Sequence, residues 1–483
     1  MKITMKFDGC TEHTGPVVII GAGPAGLTAA YFLARRGVEV IVIEQDTVPG
    51  GIAKTVEYKG FRFDIGGHRF FTKIPAILTL WHELLGKDLL VRPRLSRIYC
   101  RGRFFDYPLR AANVLQGFGV KESLQIGWSY IWRRFQPISP ETTFTDWVTN
   151  RFGRRLFDIF FRSYTEKVWG LPCDQIGAQW AAQRIKGLSL RTALTSMVRS
   201  SRGSNTGGTI RTLIGSFLYP RRGPGMMWDV LCGDIGLHGG TVKFGSTASQ
   251  IYHENGRITA IEVEDHNGVT KLSAGHLIST MPLQHLIRGF QTSPPENVRE
   301  AADNLHYRDF LTVALILKGA DLFPDTWVYI HDDTLRVGRI QNFKNWSPEM
   351  VPDQNKSCLG MEYFCFENDD LWSMADADLV ALATYELEAT GLVPPGLVIE
   401  GTVVRVPKAY PTYDEGYESR VATIREYLAG FKNLQVIGRN GMHRYNNMDH
   451  SMLTGFLAGK NLCGENHDLW SVNTDEDYYE SDS

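Results

Sequence analysis

Residues 17–45, VVIIGAGPAGLTAAYFLARRGVEVIVIEQ, leave the chain few ways to fold. Val17–Ile20 is a short apolar, β-branched run of the kind a strand shows when both of its faces are buried. Gly21, Gly23 and Gly26 follow at the spacing G-x-G-x-x-G. Residues 25–36 then read as a helix, Gly37 stops it, and residues 38–43 read as a second buried strand that Glu44 closes. The unit implies an α/β fold with a Rossmann-like parallel sheet. Gly21 permits the tight turn, Gly23 lets a pyrophosphate approach the backbone, and Gly26 lets helix and strand close up. The helix N-terminus offers unpaired N–H groups to phosphates. Glu44 can accept hydrogen bonds from ribose hydroxyls, a little past the usual separation of about 20 residues. Together these features point to a dinucleotide.

The next residues select which one. Pro49-Gly50-Gly51 directly follows the acid, and Phe63-Asp64-Ile65-Gly66-Gly67-His68 comes soon after. Adjacent glycines let a backbone lie against a flat ligand. The stretch resembles the opening of the large FAD family that holds amine oxidases, protoporphyrinogen oxidases and UDP-galactopyranose mutases. The resemblance implies FAD, with Gly50 and Gly51 passing the pyrophosphate and the turn Gly66-Gly67-His68 approaching the flavin ring.

At 483 residues the chain has room for two or three domains. Hydrophobic content of 43% and charged content of 22% suit a globular enzyme. A net charge of −2 gives no bulk attraction for nucleic acid or an acidic membrane, though it allows a local basic pocket. The seven cysteines are scattered, odd in number and free of C-x-x-C, so reduced thiols, a cytoplasmic location and no metal site are expected. The first residues, MKITMKFDGCTEHTGP, lack the apolar core of a signal peptide. No run reaches the ~20 apolar residues of a membrane span. Neither nucleic acid nor membrane insertion is expected, and a homo-oligomer is compatible.

Residues 74–85 have helical periodicity, 90–107 alternate as strands do, and 121–135 and 143–169 read as helices, the latter interrupted near Gly153. Tyr219-Pro220 leads into a further helix, and Asn255-Gly256 and Asn267-Gly268 mark two hairpins of a small meander. Strand candidates at 310–318, 326–330, 337–343 and 358–366 suggest an antiparallel sheet. The expected organisation is a discontinuous FAD-binding domain (15–78, 205–295 and 398–470), a mostly helical insertion with a mobile loop (79–204), an antiparallel β-sheet substrate domain (296–397) and an acidic, disordered tail (471–483).

Later motifs narrow the resemblance to the UDP-galactopyranose mutases, especially their eukaryotic-type branch. Tyr164-Thr165-Glu166-Lys167-Val168-Trp169-Gly170 is similar to a mutase segment whose tyrosine and tryptophan line the nucleotide pocket. Arg184 matches the mobile-loop arginine that closes over a substrate diphosphate. Trp327-Val328-Tyr329, Arg339 and Asn345-Trp346-Ser347-Pro348 follow the pattern W-x-Y, arginine, N-Y-S-P, and Tyr410-Pro411-Thr412 follows Y-P-T. Gly438-Arg439-Asn440-Gly441 with Tyr445 and Asn447-Met448-Asp449-His450-Ser451 resembles the family's terminus.

The resemblance implies catalytic roles for His68, Arg184 and Arg339. It implies substrate contacts from Tyr107, Arg110, Tyr164, Trp169, Tyr329, Tyr410, Tyr445 and Asn447. Cofactor contacts would come from Arg439, Asn447, Met448 and Asp449 besides Glu44 and the glycines. In that family N5 of the reduced flavin attacks the anomeric carbon of UDP-galactopyranose, UDP leaves, the ring opens and recloses as the furanose, and UDP returns. Such an enzyme must first be reduced, with NADPH or NADH as the expected donor sharing the cleft. There are departures: Arg110 stands where the mutases place a glutamine near the base, and a second histidine after G-G-H is missing near Lys73. Two other readings stay open, an oxidoreductase of the amine oxidase or protoporphyrinogen oxidase kind and a flavin-bound protein without turnover.

Overall fold

The computed structural model describes residues 15–107, 109, 111–178 and 215–473. Its centre is a five-stranded parallel sheet in the order Leu434–Val436, His276–Ser279, Val17–Ile20, Val40–Ile43, Thr241–Lys243. Val17, Val18 and Ile19 are wholly buried because helices cover one face of this sheet and the meander and its neighbours cover the other. The first crossover helix, Pro24–Ala34, starts with proline in its first turn and packs against the late helix Met448–Leu462. The meander is as expected: Thr247–Glu254, Arg257–Asp265 and Gly268–Ser273 pair antiparallel.

The second sheet has seven strands, in the order Val398–Pro411, Tyr307–Lys318, Lys356–Cys365, Arg339–Asn342, Trp327–Ile330, Ser96–Cys100, Arg103–Asp106. It reaches beyond residues 296–397 at both edges. Val398–Pro411 adds to one side of Tyr307–Lys318, and the Ser96–Asp106 hairpin adds to the other edge, where Ser96–Cys100 runs parallel to Trp327–Ile330. All its other pairings are antiparallel. Tyr307–Lys318 is buried along nearly its whole length, as a central strand must be.

The helical block begins with Ala111–Phe135, which breaks at Gly119 (φ 80°, ψ 177°). Phe144–Phe152 is opened by a capping box between Thr143 and Asp146, and Gly153 (φ 82°) ends it. A π-helical turn, Phe157–Phe161, then feeds Arg162–Trp169, the helix that carries Tyr164 and Trp169. Cys100, Cys173, Cys232, Cys358 and Cys365 are free. Cys463 is disulfide-bonded, which corrects the expectation of uniformly reduced thiols at that residue.

Candidate active site

A cavity of about 770 Å³ joins the carboxyl ends of the parallel sheet to one face of the seven-stranded sheet. At its first end Gly23 faces open space, and Gly51 lies against it, 3.5 Å from its Cα to the position of a Cβ. Gly26 is closed in: a Cβ there would sit 1.9 Å from the Gly21 carbonyl oxygen. Glu44 is aimed by two backbone donors, the N–H of Ala22 (2.7 Å) and that of Asp46 (2.9 Å). Burial raises its pKa against those two hydrogen bonds. Two helices, Pro24–Ala34 and Met448–Leu462, begin at this cavity. An open glycine backbone, a carboxylate at the strand tip and two helix N-termini fit the phosphates and ribose of FAD. Gly50 serves differently from expectation. A Cβ there would lie 2.5 Å from the Trp228 ring, so this glycine makes room for packing and stays outside the cavity lining.

The far end is built by strand register. Tyr329 pairs with Arg339, and Arg339 pairs with Glu362 on the next strand. Side chains alternate along a strand, so Trp327, Tyr329, Arg339, Gln341 and Glu362 share one face. Their neighbours Val328, Ile340, Met361 and Tyr363 point into the apolar core behind. Arg339 donates through Nε and Nη2 to the same Glu362 oxygen, at 2.7 and 2.6 Å, and Gln341 Nε2 donates to the other at 2.6 Å. Glu362 is fully buried. Burial opposes the Arg339 charge, yet Glu362 outweighs it and holds the guanidinium protonated well above its ordinary value. Arg339 therefore enters the site already matched by a carboxylate.

Arg439 is a lining cation with no carboxylate partner among the described residues. Its guanidinium lies 4.6 Å from the Tyr410 ring centre and 4.2 Å from that of Tyr445, and the two rings stack on each other at 5.7 Å. Its Nε and Nη2 are buried with no hydrogen-bond partner among the described residues. Sequence reasoning placed this arginine on the cofactor alone, whereas the structure sets it between the tyrosines expected to meet substrate. His68 stands near both arginines. Burial, then Arg439 and Arg339, push its pKa down to about 3, so it is a neutral imidazole at physiological pH.

Tyr107, Tyr164 and Trp169 stay outside the cavity lining and pack behind the tyrosines that do line it. Tyr107 lies 5.0 Å from Tyr329, Tyr164 lies 5.6 Å from Tyr329 and stacks on His331 at 4.6 Å, and Trp169 contacts Tyr410 (6.5 Å) and Tyr445 (6.3 Å). Asn447 is the exposed N-cap of Met448–Leu462, and Met448 and Asp449 follow it along the lining. Arg184 and Arg110 lie outside the described residues.

Sequence reading passed over Glu362 and Gln341. Glu362 sits in Met361-Glu362-Tyr363-Phe364, which reads as a buried strand with one stray acid. The signal was there in reverse, since an acid inside such a run demands a cationic partner. Trp346, at the tyrosine position of N-Y-S-P, is buried and donates Nε1–H to the Thr326 carbonyl at 2.8 Å, so it closes the core beneath the site.

Comparison with known proteins gives three findings. The family described as Flavin containing amine oxidoreductase matches residues 24–431. A crystal structure of reduced UDP-galactopyranose mutase superposes with a TM-score of 0.82 at 24% identity, covering 95% of this chain and 96% of that one, a likeness of fold. Curated relatives match over shorter spans. Hydroxyneurosporene desaturase of Rhodobacter capsulatus is 26% identical over 292 residues, 51% of this chain and 53% of that protein. An inactive all-trans-retinol 13,14-reductase of Danio rerio is 56% identical over 50 residues, 10% of this chain and 8% of that protein. The chain thus spans about half the length of one of these relatives and under a tenth of the other.

Proposed function

Because the chain belongs to the family of flavin containing amine oxidoreductases, we propose that within it this protein is a nucleotide-sugar mutase, interconverting the pyranose and furanose forms of UDP-galactose or a related nucleotide sugar. Arg439 carries the reading. Its two unpartnered, buried N–H groups, held between Tyr410 and Tyr445, require an anionic or strongly accepting ligand. An unsatisfied buried donor costs about 1–3 kcal/mol, more when charged. A hydrocarbon would leave both donors orphaned, and an ammonium substrate would face the same cation.

Gly21, Gly23, Glu44, Gly51 and the Gly66-Gly67 turn would hold FAD, which when reduced supplies a nucleophile for an anomeric carbon. The chain's own residues then act on charge. Arg439 and Arg339 would hold the departing diphosphate, and the neutral His68 can accept a hydrogen bond but has no acidic proton to give near pH 7. The tyrosines add neutral donors and orient the nucleotide. Arg184 would close over the diphosphate, and NADPH or NADH would reduce the flavin from the same cleft.

The alternative is net hydride transfer, and the desaturase named among the relatives favours it. Anaerobic incubation of chemically reduced protein with UDP-galactofuranose, followed by chromatography of the nucleotide sugars, separates the two. Conversion to the pyranose by reduced but not oxidised protein supports the mutase. No conversion with UDP still bound moves the search to other sugars. No conversion and no UDP binding rejects the reading in favour of the oxidoreductase.

A further inference from the structure

After its break at Gly119, the helix Ala111–Phe135 continues as a second rod over residues 120–135, about 24 Å long at 1.5 Å per residue. Its inner face is anchored: Ile126 is 6% exposed, and Glu122 is held by Arg155 through a two-point pair at 2.5 and 3.0 Å. Its outer face is apolar. Val120 (66% exposed), Leu124 (68%), Trp128 (67%), Ile131 (48%), Trp132 (49%) and Phe135 (80%) lie in the open. At 100° per residue these six positions fall within an arc of about 120°, a continuous stripe along the rod. Soluble surfaces rarely carry a stripe of this kind without a partner.

We infer that this stripe docks the protein on the surface of an anionic phospholipid bilayer, with the rod lying in the interfacial plane. The occupant follows from charge. Residues 111–135 carry Lys121, Arg133 and Arg134 against one acid, Glu122, which Arg155 already engages, although the whole chain has a net charge of −2. On the helical wheel Lys121 lies inside the arc about 20° from its Trp132 end, at the first turn of the rod, and Arg134 lies about 40° beyond its Val120 end; both long side chains snorkel to headgroup phosphates while Trp128, Trp132 and Phe135 enter the acyl boundary. A second copy of this chain is a poorer occupant. Pairing the stripe with itself would bring the two sets of cations together with no free acid on either helix to offset them. The attachment is peripheral, since no helix among the described residues is long and apolar enough to cross a membrane. It is independent of the proposed reaction.

Flotation of the full chain with vesicles tests it. The chain is expected to float with phosphatidylcholine vesicles containing phosphatidylglycerol, poorly with phosphatidylcholine alone, and less at high salt. The double variant Trp128→Glu/Phe135→Glu alters two exposed positions, and its partition coefficient is expected to fall at least about tenfold. Lys121→Glu/Arg134→Glu is expected to lose the preference for anionic lipid. Circular dichroism of both variants is expected to match the parent. Absence of flotation, or equal flotation of parent and both variants, overturns the inference. Absence of flotation together with a dimer that Trp128→Glu dissociates overturns it and assigns the stripe to self-association.

Discussion

The Arg339–Glu362 pair sets how much positive charge the cavity offers, and Glu362→Gln measures it. The substitution keeps the shape, removes one buried negative charge and replaces one of the two acceptor oxygens with an NH2 donor, so that either Arg339 or Gln341 loses its acceptor. Breaking a buried pair from one side costs about 3–5 kcal/mol, so the ligand-free variant is expected to unfold at markedly lower urea. The same change leaves the cavity one unit more positive. At an effective dielectric of about 20, a unit charge about 6 Å from a phosphate is worth about 3 kcal/mol. Allowing for screening and relaxation, UDP or pyrophosphate should bind at least about tenfold more tightly to the variant. Ligand binding to the folded state alone then stabilises the variant more than the parent. Isothermal calorimetry with UDP and urea unfolding with and without it, on both proteins, give the two numbers. A variant as stable as the parent, or one that binds UDP no more tightly, would refute the assignment of Glu362 as the counter-charge of an anion site.

Arg439→Leu removes this lining cation and is expected to weaken UDP binding about 10–100-fold by calorimetry, while circular dichroism stays unchanged. Gly26→Ala places a Cβ 1.9 Å from the Gly21 carbonyl oxygen, so the purified protein is expected to carry far less bound flavin, read from its visible absorbance. Stability should fall on acidification. Burial is the leading cause that lowers His68 and His331 to about 3 and His443 to about 4, so between pH 6.5 and those values the unfolded chain binds protons that the folded chain refuses. Asp64 acts in the opposite sense: burial raises it to about 7, and below that pH the folded state binds the extra proton. Each such group contributes up to about 1.4 kcal/mol per pH unit, and the histidines outweigh Asp64, so stability is expected to decline between pH 6 and 4.5, measurable by urea unfolding.

The features legible in the sequence are those that local chemistry determines. The first crossover, its glycines and Glu44 occupy a single short stretch, and the hairpins at Asn255-Gly256 and Asn267-Gly268 sit where Asn255 (φ 49°) and Gly256 (φ 70°) adopt left-handed backbone. What could not be read depends on partners distant along the chain. Nothing near Ser96 announces that Ser96–Cys100 will run parallel to Trp327–Ile330, and nothing near Val398 shows that this strand leaves the parallel-sheet region to flank Tyr307–Lys318. Glu362 and Gln341 belong to the same class, because their meaning is set by the strand across from them. Arg439 was legible as an important arginine, but its placement between Tyr410 and Tyr445 needed the fold.

The packing of a late helix on the first crossover bears on when the cofactor can be acquired. The helix Met448–Leu462 leaves the ribosome roughly 400 residues after the first crossover, yet it packs against Pro24–Ala34 and lines the same cavity as Gly21 and Gly23. At roughly 5–20 residues per second, the first crossover waits roughly 20–90 s for the wall that completes its pocket. Throughout that interval the nascent chain presents a phosphate-binding turn with one side missing. Loading therefore waits for residues 448–462, and a chain truncated before residue 434 would keep the first glycine signature while being unable to retain the group it was shaped for.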